Sequence, residues 1–104
     1  MYLLNTITEI EWTLDKTPNP ITLLELATVT MNPNGDTELI QAQNLIEPTE
    51  SSQGLTTHVI TPDMEGLWEI TLVKGSAGTY TELSKATMFV FAADTVVNPP
   101  GGPV

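Results

Sequence analysis

Thr61-Pro62-Asp63-Met64-Glu65-Gly66-Leu67-Trp68-Glu69-Ile70-Thr71-Leu72 is a turn that runs straight into the best strand of a 104-residue chain. Pro62 fixes φ, Asp63 suits a local side-chain-to-backbone hydrogen bond, and Gly66 supplies a conformation that a Cβ resists. Beyond it, Trp68, Ile70 and Leu72 alternate with Leu67, Glu69, Thr71 and Val73. That is the period of a strand with one buried face. A large aromatic two residues after the turn glycine makes a natural centre for a core, and the other strands are expected to pack around this one.

Working outward, Thr8-Glu9-Ile10-Glu11-Trp12-Thr13-Leu14 alternates in the same way, with Ile10, Trp12 and Leu14 expected inward. Residues 15–20, with Pro18 and Pro20, form a loop. Residues 21–31 are expected to be a strand, with Ile21, Leu23, Ala27, Val29 and Met31 on one parity and Glu25 interrupting it. A helix is the rival reading there, and the β-branched run Thr28-Val29-Thr30 with flanking prolines favours the strand. Asn32-Pro33-Asn34-Gly35-Asp36 is a turn into a hairpin partner over residues 37–43, and Leu45-Ile46 forms a brief pairing segment. After the polar loop of residues 47–54, residues 55–60 make a strand that feeds the opening turn.

Downstream of Trp68, residues 74–78 are expected to be a hairpin loop, followed by a long strand from Tyr80 to about Ala92. Met88-Phe89-Val90-Phe91 is apolar on both parities. Such a run suits a strand covered on both faces, or one whose outer face meets a partner. Residues 1–7 are apolar without clear periodicity. Residues 94–104, with Pro99, Pro100 and Pro103, cannot be a helix and make a poor strand. Six or seven short strands with no convincing helix predict an all-β, antiparallel Greek-key sandwich over residues 1–93 and an extended arm over residues 94–104.

Composition narrows the function classes. The chain is long enough for one domain that buries roughly two-thirds of its unfolded surface. There are no cysteines, which excludes disulfides, thiolate catalysis and cysteine–zinc sites. The formal net charge is −10, with Lys16, Lys74 and Lys85 the only cations apart from the single histidine. Such a surface repels phosphate backbones and anionic lipid, so neither nucleic acid nor membrane is an expected partner. The acidity serves solubility or docking onto a more basic partner. Residues 1–5 lack a basic, then apolar, leader pattern, and no stretch has the length of a membrane span.

No residue set carries catalytic chemistry, and no cofactor is expected. His58, the only histidine, falls opposite Leu55, Thr57 and Val59 in parity and is expected to be exposed on its strand. Ser51, Ser52, Ser76 and Ser84 lack a nucleophile-elbow context. Glu9 with Glu11, and Asp63 with Glu65, stand two residues apart, which suits a solvated acidic face better than a glycosidase pair. Asp63 with Glu65, or Asp36 with Glu38, leaves loop calcium open as a minor alternative. Trp12 and Trp68 sit at core parity, so a sandwich core is expected in preference to a ligand cage.

The run Pro62-Asp63-Met64-Glu65-Gly66-Leu67-Trp68 resembles the corner before the sixth strand of immunoglobulin-like and fibronectin-type-III-like sandwiches. Gly66 matches the small position there, and Trp68 stands where tyrosine is usual. From Trp12 to Phe91 the layout resembles the immunoglobulin-like accessory domains of tailed-phage virion proteins. The resemblance implies a structural virion protein, made in the host cytoplasm, that decorates or cements the outer surface of a phage head. Its partners would be the major capsid protein or other virion subunits, with homo-oligomerisation open. A neck or tail accessory domain, or a soluble carbohydrate- or surface-binding module, is the alternative. The expected partner contacts come from the two ends of the chain: Tyr2, Leu3, Leu4, Val96, Val97, Pro99, Pro100 and Val104.

Overall fold

The turn before Gly66 leads into the central strand of a five-stranded sheet. The computed structural model describes residues 2–17, 19–76 and 78–92. The strands are β1 (Tyr2–Leu3), β2 (Thr8–Leu14), β3 (Leu26–Met31), β4 (Thr37–Gln41), β5 (Asn44–Ile46), β6 (Gly54–Ile60), β7 (Gly66–Ser76) and β8 (Thr79–Phe91). Among the described residues there is no α-helix, only a 3-10 turn at Leu23–Glu25. One sheet has the order β1-β8-β7-β3-β4 and the other β2-β6-β5. The chain is an all-β sandwich.

The chain changes sheets four times, entering β2, β3, β5 and β7. Each pair β3–β4, β5–β6 and β7–β8 is an antiparallel hairpin. The expectation of a wholly antiparallel fold is corrected at β1, which runs parallel to β8 with Tyr2 opposite Val90 and Leu3 opposite Phe91. The physical reason lies in the step that follows. Leu4 N–H donates to the Phe91 carbonyl at 2.8 Å, and Asn5 turns the chain with φ 56° before it enters β2 in the other sheet. Asparagine tolerates that left-handed conformation better than most residues.

Ile10, Trp12 and Leu14 from β2 meet Trp68, Ile70 and Leu72 from β7 and Met88 and Val90 from β8 in one core between the sheets. The expected inward parities of β2 and β7 therefore hold. Trp68 also ties itself to the turn that delivers it, its indole N–H donating to the Met64 carbonyl at 2.8 Å.

Elsewhere the register departs from expectation. Residues 23–25 form the 3-10 turn, so the strand begins only at Leu26. In β3 the inward residues are Leu26, Thr28 and Thr30, whereas Val29 and Met31, expected inside, are half-buried on the outer face. The outer face is in turn closed at Ala27, which sits opposite Val73 and is 3% exposed. The Gln41 side chain lies at this end and donates to the Leu23, Leu24 and Leu26 carbonyls.

The expected loop over residues 74–78 is mostly strand. Lys74, Gly75 and Ser76 stay paired with Thr81, Tyr80 and Thr79. Gly75 makes this possible with φ 154°, close against the Thr79 carbonyl, where a Cβ has no room. Farther along, the register slips between Leu72 and Val73, leaving Leu83 as an extra residue on β8. Such a bulge sharpens the local twist.

Candidate functional site

His58 is the first residue to place, and it is not exposed. It stands opposite Ile10 in the β2–β6 ladder and is 0% exposed, which corrects the surface position expected of it. The parity is the reverse of the expected one: Thr56, His58 and Ile60 turn inward while Val59 turns out. Neither ring nitrogen has a hydrogen-bond partner of normal geometry. Burial pulls its pKa below the usual histidine value, a shift only partly offset by the Ile40 backbone. With no solvent access and no nucleophile aligned to it, this histidine is a core residue.

The remaining chemistry-bearing groups do not converge. Among the described residues no group of three or more His, Cys, Asp or Glu side chains is placed to hold a metal ion. Trp12 and Trp68 are 8% and 6% exposed and belong to the core cluster between the sheets.

The three lysines all stand in ion pairs. Lys85 lies 3.0 Å from Glu69 and 3.8 Å from Glu82, Lys74 lies 3.8 Å from Glu25, and Lys16 pairs with Glu50. Glu69 holds the Lys85 pKa above its usual value, first through the hydrogen bond and then through its charge. With the cations so engaged, the net charge of −10 is carried by carboxylates in excess of these pairs.

Of the expected partner contacts, Tyr2 and Leu4 are half-buried against the domain's own core. Leu3 alternates with them and lies opposite Phe91. Val96, Val97, Pro99, Pro100 and Val104, like the arm to which they belong, lie outside the described residues.

Leu3 leads to the surface that stands out. Phe91 is 44% exposed and Phe89 50% exposed, with ring centroids 4.8 Å apart at 48°. Leu67, 58% exposed, faces Phe89 from β7. Together these side chains form an apolar patch on the outer face of the β1-β8-β7 end of the larger sheet. A contiguous exposed patch of large apolar groups is a recurrent mark of an interaction surface. The double-parity run Met88–Phe91 carried its signal: Met88 and Val90 fill the core while Phe89 and Phe91 face out. The contribution of Leu67 was hidden, because it depends on which residue of β8 pairs with it.

No family model matches the chain, and searches of curated proteins and of solved structures return no match.

Proposed function

We propose that this chain is a structural virion protein, without enzymatic activity, that decorates or cements the outer surface of a phage head. The observation that carries the reading is the outward Leu67–Phe89–Phe91 patch on a chain of net charge −10. An apolar centre gives contact energy, and a negative surround steers it toward a basic shell. The strand order supports the Greek-key, immunoglobulin-like part of the proposal. β2, β6 and β5 correspond to strands B, E and D of such a sandwich, and β8, β7, β3 and β4 to G, F, C and C′. The Trp68 indole bond to the Met64 carbonyl supports it too, doing the work that a tyrosine hydroxyl does at that corner.

The test is co-sedimentation with empty capsids at several salt concentrations. A decoration protein saturates the shell in many copies, and its association slows as ionic strength rises past about 0.15 M, where screening acts within about 8 Å. Occupancy of about a dozen copies or fewer assigns the chain to a neck or tail instead, because oligomeric rings there limit its number. Binding to a glycan array without any particle overturns the virion reading.

A further inference from the structure

Two strand edges are open on the same side of the sandwich among the described residues. β2 pairs only with β6, and β8, paired with β7 along its length, meets β1 only at Val90 and Phe91. Between these edges runs a groove with two successive hollows of about 320 and 310 Å³. Residues 9–12 of β2 and 86–88 of β8 line the first; residues 13–15 and 83–84 line the second. As β2 advances β8 recedes, so the hollows follow one line. Ile70 and Leu72, both core residues, border it from β7. Tyr2 contributes to the first hollow, at the end where β1 joins β8.

We propose that this groove takes up an extended, basic β-strand of a partner protein, which enters between β2 and β8 along the line of β1. Two facing rows of open backbone donors and acceptors bind a strand of any sequence, and the hollows select apolar side chains at alternate positions. The rim selects charge. Glu9 and Glu11 line the first hollow and Asp15 the second, and no lysine lines either, so the outward residues of the donor are lysine or arginine. Trp12 also lines the first hollow and is 8% exposed, so its fluorescence reports on what enters there. Strand donation by another copy of this chain would set a carrier of charge −10 against an acidic rim. The groove is distinct from the outer-face patch, and the inference stands without the virion reading.

The probe is a synthetic peptide of alternating lysine and valine, seven residues long to match β2. Controls are its glutamate-for-lysine counterpart and a peptide of residues 93–98 of this chain. Titration calorimetry on the full chain is expected to show one lysine–valine peptide bound per domain. Hydrogen exchange should slow at alternate amides of β2 and of residues 79–89, and Trp12 emission should shift. Reversing the rim by Glu9→Lys with Glu11→Lys should weaken binding by about ten-fold while the domain stays folded. Leu67→Ser, in the outer-face patch on β7 and away from both open edges, should leave it unchanged. The proposal is overturned by absence of binding, by equal or tighter binding of either control peptide, or by binding that leaves the β2 and β8 edge amides unprotected.

Discussion

Ile10 and His58 are direct partners across the β2–β6 ladder, and both side chains face the core, at 8% and 0% exposure. The pairing carries the single histidine into the core, where neither imidazole nitrogen has a hydrogen-bond partner of normal geometry. Burial is the main reason that its pKa is lowered. Burial there favours the neutral imidazole over the charged one.

This has a pH consequence. Above about pH 6.5 the group is neutral in both folded and unfolded chains and stability is unaffected. As pH falls through that value the unfolded chain binds a proton that the native state resists, so stability declines until the lowered native pKa is reached. The loss is at most about 1.4 kcal/mol per pH unit. Urea midpoints measured from about pH 7 down to about pH 5.5 should fall for the parent, and His58→Leu should flatten that slope. Equal slopes in the two proteins would show that the histidine is not the source.

Trp68 joins the core to the turn that precedes it. Trp68→Ala removes a 6%-exposed aromatic and should cost about 3–5 kcal/mol. Trp68→Phe keeps most of the ring but leaves the Met64 carbonyl without its 2.8 Å donor, and should cost about 1–3 kcal/mol. Chemical denaturation measures both, and a Phe variant as stable as the parent would remove the corner bond from the account.

Gly66 and Gly35 separate strain from contact. Both have positive φ, 122° and 90°, but a Cβ on Gly66 meets Pro33 Cγ at 2.9 Å whereas one on Gly35 meets nothing within 4 Å. Each alanine substitution carries a conformational cost of about 1–3 kcal/mol. Gly66→Ala should be the more destabilising of the two, and thermal melts of the pair give the difference. Equal losses would mean that Pro33 yields.

Phe89 is half exposed, so Phe89→Ser should change stability by less than about 1 kcal/mol. Its effect belongs to association: particle binding measured by co-sedimentation should weaken, most strongly when combined with Leu67→Ser. Saturation at the parent concentration by the double variant would assign docking to another surface.

Much of the fold was legible because period-2 alternation is a local property. The residues of β2 and β7 display it cleanly, and the turns at residues 32–36 and 61–65 carry proline, asparagine, aspartate and glycine at positions where those residues have specific backbone roles. The exposed apolar patch was half legible. Phe89 and Phe91 announced themselves by apolarity on both parities, but nothing in the order of residues places Leu67 or Leu3 beside them.

The sequence by itself determined an all-β chain, the inward faces of β2 and β7, and a negative field, since each follows from residue type and nearest neighbours. The tertiary structure decided the rest. Thr56 and His58 are inward because β6 must match the faces of Ile10 and Trp12, and in β3 Thr28 is inward because its register with Leu72 requires it. Polar and β-branched residues fit either side of a pleat, so their own chemistry leaves the face open. The parallel β1 and the open groove between β2 and β8 likewise come from how distant strands meet, which is set by packing and register and not by local preference.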